Sequence, residues 1–149
     1  MPAFQIKYDE GLKVGYKWYD AEKKDVLFPF GYGLSYTTYT YSNLKVTPGK
    51  NVRVSFTAVN TGNRAGAEIA QVYASLPPSA GEPPKRLVGW SKVKLNPGES
   101  KDLAVEIDPL YLSVFDASRH AWELAPGDHT FMAGPSSRSL PLEESVNLK

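Results

Sequence analysis

Punctuation constrains this chain more than any other feature. Three Pro-Gly pairs, Pro48-Gly49, Pro97-Gly98 and Pro126-Gly127, each fall between two segments that read as β-strands. Pro presets φ at the first central position of a turn, and Gly accepts the positive φ that a type II turn needs at the second. Between the pairs, apolar residues alternate. Val52, Val54, Phe56 and Ala58 interleave with Arg53, Ser55 and Thr57, the period of a half-buried strand. Asn60-Thr61-Gly62-Asn63 reads as a turn. The stretch from about Glu68 to Ser75 is apolar at both parities (Ile69, Ala70, Val72, Tyr73, Ala74), which places it centrally in a sheet or beneath another layer. Leu87 to Leu95 around Trp90, then Leu103, Val105 and Ile107, then Phe131 and Ala133, then Leu140 and Leu142 mark further strands. Tyr39, Tyr41, Leu44 and Val46 mark one at the N-terminal side. The prolines from Leu76-Pro77-Pro78 to Pro83-Pro84 cannot sit inside a paired strand and read as an exposed loop. No helical period persists over ten residues in this part. The expectation is an all-β sandwich of about seven strands.

Residues 1–35 have a different texture. An aromatic-rich run, Tyr8 to Asp20, breaks into the charged turn Glu22-Lys23-Lys24-Asp25, then Val26-Leu27-Phe28-Pro29-Phe30 and Gly31-Tyr32-Gly33. This segment reads as a strap or a single hairpin, which would be marginal without a partner layer. A boundary falls near residues 34–38. Residues 1–35 form the strap and residues 36–149 the sandwich domain. Tyr16, Trp18, Tyr19, Phe28, Phe30, Tyr32 and Tyr36 crowd into this short stretch. Such aromatics either fill the seam between strap and sandwich or form an exposed face for a carbohydrate or a protein partner. Left open, that face would favour self-association.

The remaining chemistry is sparse. There is no cysteine among the 149 residues, so disulfides, thiolate metal sites and a Cys nucleophile are excluded. The net charge of +1 and the lack of a basic stripe argue against nucleic acid as a partner. No stretch reaches the roughly 20 apolar residues of a membrane-spanning helix, so no membrane partner is expected. No signal peptide is visible at Met1-Pro2-Ala3. Gly31-Tyr32-Gly33-Leu34-Ser35 lacks the third glycine of a dinucleotide fingerprint, because position 36 is Tyr36. It also lacks the second flanking glycine of a nucleophile elbow, because position 37 is Thr37. His129 shares parity with Phe131 and Ala133 and is expected to be a partly buried, hydrogen-bonded strand residue rather than a metal ligand. His120 sits in the polar turn Asp116 to Arg119, solvated. The carboxylates are scattered, with no recognisable catalytic pair, and Glu143-Glu144 reads as an exposed charged turn. No cofactor, no metal and no catalytic residue is assigned.

Taken jointly, the motifs resemble a known family. Tyr8 to Asp20 is similar to the end of the second, α/β sandwich domain of family 3 glycoside hydrolases, the β-glucosidase and β-xylosidase group. Leu27-Phe28-Pro29-Phe30-Gly31-Tyr32-Gly33-Leu34-Ser35-Tyr36-Thr37-Thr38 resembles the segment leading into their C-terminal fibronectin type III-like domain. Val59-Asn60-Thr61-Gly62, Ala65-Gly66, Gln71-Val72-Tyr73, Arg86-Leu87-Val88-Gly89-Trp90, Leu95-Asn96-Pro97-Gly98-Glu99-Ser100 and Gly134-Pro135-Ser136-Ser137 follow in that domain's order. Two positions depart from the pattern: His129 stands where a Tyr is common, and Lys17 where Gly-Tyr-Arg is usual. The resemblance implies an immunoglobulin or fibronectin type III-like sandwich preceded by the tail of an upstream domain. The family's nucleophilic Asp and its acid/base Glu lie in regions outside these residues, so no catalytic role carries over. The implied function is that of a non-catalytic accessory module whose partners are the catalytic domains of a glycosidase, in a family often secreted or periplasmic in microbes. The alternatives are a polysaccharide-binding module and an independent adhesion domain.

Overall fold

A computed structural model describes residues 4–149. The strands are β1 (Tyr39–Thr47), β2 (Val52–Asn60), β3 (Gly66–Ser75), β4 (Arg86–Leu95), β5 (Ser100–Ile107), β6 (Ser113–Asp116), β7 (Ala121–Leu124), β8 (Gly127–Gly134) and β9 (Leu142–Leu148). A three-stranded antiparallel sheet, β1-β2-β5, faces a four-stranded one, β4-β3-β8-β9. These seven strands make the sandwich. β6 and β7 form a separate hairpin beside it.

The alternation anticipated in β2 is the alternation observed: Val52, Val54, Phe56 and Ala58 are buried and face Val105 and Ile107 of β5 as well as the opposite sheet. β3 is central and buried on both faces. Ala70, Val72 and Ala74 belong to the core between the sheets. Gln71 and Tyr73, of opposite parity, are buried as well, beneath the N-terminal segment. At Gly89 the sheets pack so closely that a Cβ would lie 2.5 Å from Val105 Cγ1.

Several details differ from the sequence expectation. Residues 4–38 hold no hairpin; their one regular element is the short helix α1 (Tyr16–Ala21). Glu143 and Glu144 lie within β9 rather than in a turn, and Glu144 accepts the Val46 amide at 3.0 Å. The last strand starts at Leu142, so Leu140 precedes it. Of the three Pro-Gly glycines only Gly98, at φ 75°, holds the conformation of a type II turn; Gly127 (φ 130°) opens β8, and Gly49 has no positive φ. β1 switches parity between Tyr41 and Leu44 because Asn43, at φ 57°, makes a bulge opposite β2.

Candidate docking face

The strap lies on the outer face of the four-stranded sheet, and its attachment begins with α1. Six residues are too few for a helix to hold by itself, and Gly15 at its start offers no capping side chain. Tertiary contacts hold it instead. The Tyr16 hydroxyl accepts the Leu87 amide at 2.7 Å. Its ring packs 5.8 Å from Phe30 and edge-on to Tyr73 at 5.7 Å. Burial pushes the Tyr16 phenol above its ordinary range. Asp20, whose side chain is only 5% exposed, takes Lys85 Nζ at 2.5 Å and Arg138 Nε at 2.8 Å, one cation on each carboxylate oxygen. Arg138 also donates to the Lys24 carbonyl at 2.9 Å. Lys24 in turn places its ammonium 4.3 Å from the Trp18 ring centroid.

Further along, the backbone takes over. The Phe30 carbonyl accepts the Ser137 amide at 2.9 Å. Gly31 follows at φ 88°, so close to β3 that a Cβ would overlap the Gln71 amide. Gln71 is locked: it donates to the Pro135 carbonyl at 3.0 Å and accepts the Tyr73 hydroxyl at 2.5 Å. The strap enters β1 at a buried Asn60. Its Oδ1 accepts Thr37 Oγ1 and the Gly62 amide, and its Nδ2 donates to the Arg64 and Leu95 carbonyls.

Against this anchorage the seven aromatics divide. Tyr16 and Trp18 are half-buried. Tyr19 is 39% exposed, Phe30 54%, Tyr32 61%, Phe28 69% and Tyr36 100%. Phe28 and Tyr32 stack on each other at 5.7 Å, outside the sandwich. The seam is filled by Tyr16 together with Tyr73, and the front of the strap stays open. Trp90 of β4, 65% exposed, extends that open face. Between it and the strap runs an apolar groove of about 480 Å³, bounded by Phe30, Leu34, Ile69 and Leu87. Sequence reading did not single out Tyr73, Asp20, Arg138 or Trp90 as parts of this site. The one available signal was the double-sided burial pattern of β3, which implies a layer over Gln71 and Tyr73.

The histidines are not at this face. His129 is fully buried rather than partly so; its Nδ1 lies 3.1 Å from the Gly127 carbonyl and therefore carries the proton, and burial holds its pKa below the usual range. His120 occupies the exposed β6–β7 turn with φ 49°. Among the described residues no three His, Cys, Asp or Glu side chains gather into a metal site, and no helix is long and apolar enough to cross a membrane.

The two facing antiparallel sheets define a fibronectin type III-like sandwich, and residues 68–137 match the fibronectin type III-like domain family. Over 97% of its length the chain is 40% identical to β-glucosidase B of Emericella nidulans, and 37% identical to thermostable β-glucosidase B of Acetivibrio thermocellus. Among solved structures it superposes on DesR, a β-glucosidase from Streptomyces venezuelae, with a TM-score of 0.91 and 39% identity, covering 95% of this chain and 19% of that one. A family 3 β-glucosidase from Bifidobacterium adolescentis gives 0.89 and 34%, covering 95% and 21%. The chain belongs to the fibronectin type III-like region of the β-glucosidases of glycoside hydrolase family 3. It spans 18% and 20% of the length of the two curated relatives named above.

Proposed function

We propose that the chain is a non-catalytic module that stabilises and orients the catalytic domains of a β-glucosidase-like protein. Residues 1–35 serve as the strap joining it to them, and residues 36–149 as the supporting sandwich. One observation carries this reading: the strap is fastened from behind by Tyr16, Asp20 and Phe30, yet presents Phe28 and Tyr32 to solvent in front, beside the exposed Tyr36 and Trp90 of the sandwich. Contiguous apolar surface on this scale marks an interaction site. Ordering the strap against the sandwich first lowers the entropy lost when a partner covers it.

The purified chain is expected to leave an aryl β-glucoside unhydrolysed and to stay in the supernatant over insoluble glucans. Turnover abolished by replacing one of the chain's own carboxylates would overturn the non-catalytic reading. Retention on the glucan, lost in Tyr32→Ala and Tyr36→Ala, would replace protein docking by polysaccharide binding.

A further inference from the structure

Glu68 of β3 is 5% exposed and has the strand parity of the core residues Ala70 and Val72. A carboxylate is tolerated in such a place when a cation or several donors answer it. Here one donor does: Tyr41 Oη donates to Oε1 at 2.6 Å. Among the described residues Oε2 accepts no hydrogen bond, and none of the ion pairs includes Glu68. The contrast with Asp20, which holds a cation on each oxygen, is direct. Burial pushes the Glu68 carboxyl above its usual range, as follows for an acid without a counter-charge.

Glu68 also lines a hollow of about 410 Å³ between the strap and the sandwich, with the hydroxyl-bearing Ser35, Thr37, Tyr39 and Ser136 around it. Gly31, Leu34 and Ile69 border both this hollow and the Trp90 groove, so the hollow lies directly beside the open face. We propose that it is a socket for a basic side chain, an arginine above all, carried by the protein partner that covers the strap. A guanidinium has only donors, in a planar fork; a carboxylate oxygen and a ring of hydroxyl oxygens supply acceptors. The apolar part of the face excludes water around the pair, and a lone buried carboxylate selects partners that present a cation against those that do not. The inference deepens the docking reading and rests on it.

The test uses the chain itself, with N-propylguanidinium as the probe. Signals of Glu68 and Tyr41 are followed by NMR, beside N-propylurea, which keeps the shape without the charge, and beside glucose. The expected result is a saturable shift at both residues with the guanidinium alone, and a Glu68 titration midpoint that falls in its presence. Glu68→Gln keeps the side-chain volume and the Tyr41 hydrogen bond; it should melt as a folded protein and bind at least about tenfold more weakly. No saturable response, an equal response to the urea, or a response to glucose would overturn the socket. The docking reading does not hang on this titration: a strap face covered in the native protein together with a Glu68 indifferent to guanidinium sinks the socket alone.

Discussion

Asp20→Asn is the sharpest probe of how the strap is held. The substitution keeps the shape of the side chain and removes the charge that Lys85 and Arg138 share. Asp20 is 5% exposed at its side chain, Lys85 14% and Arg138 36%. Removing one partner of a fully buried pair costs about 3–5 kcal/mol. Arg138 is partly solvated, which screens its share, and the Asn oxygen can still accept one donor, so about 2 kcal/mol is the working figure. That energy acts on strap docking rather than on the sandwich, whose core does not involve Asp20. It corresponds to a rise of roughly 30-fold in the population of the undocked strap. Two amides report it directly: Leu87 N, held by the Tyr16 hydroxyl, and Ser137 N, held by the Phe30 carbonyl. Hydrogen exchange at both should accelerate by that factor in Asp20→Asn, while Val54 and Phe56 in β2 keep their protection. Unchanged exchange at Leu87 and Ser137 would refute the anchoring role. A uniform acceleration that includes β2 would show that strap and sandwich open as one unit.

Three further outcomes follow from the same geometry. Asn60→Ala strips four buried or half-buried groups of their partner and should cost about 3 kcal/mol, a fall in Tm of roughly 6–12 °C by calorimetry; a fall under about 2 °C would contradict it. His129 is held neutral by burial, so its folded pKa lies below its unfolded one. The stability it contributes is complete above the unfolded pKa, near 6.5, and is lost as pH falls through the folded value; the drop in Tm on acidification should therefore be shallower in His129→Gln. The isolated chain, with Phe28, Tyr32 and Tyr36 open, should associate with rising concentration in light scattering, and Phe28→Ser with Tyr36→Ser should reduce this; a monomer at all concentrations would count against an apolar docking face.

The sandwich was legible because its strands are long and their alternation is regular, as in β2 and β5, and because Pro- and Gly-bearing segments separate most of them. What escaped was short or long-range. The helix Tyr16–Ala21 is less than two turns and exists through its contacts with Leu87, Tyr73 and Lys85, which no local period encodes. The four-residue strands of the β6–β7 hairpin are equally brief, although Phe115 and Trp122 stack edge-on across them at 5.6 Å. Asn43 makes a bulge by adopting a left-handed conformation that its sequence neighbours do not announce. At the docking face the aromatic cluster was visible as composition. Which rings turn inward was not, because that depends on Tyr73 and Gln71, distant in sequence and placed there by β3.

If the chain works as the proposed module, catalytic domains cover the strap face in the protein as its source makes it. The most direct measurement purifies the native product with an antibody raised against this chain, assays it on an aryl β-glucoside, and compares its hydrogen exchange over residues 26–38 with that of the isolated chain. The expected product is far larger than 16.4 kDa, hydrolyses the glucoside, and protects these residues strongly relative to the isolated chain. A product of 16.4 kDa, or a larger one in which residues 26–38 exchange as freely as in the isolated chain, would contradict it.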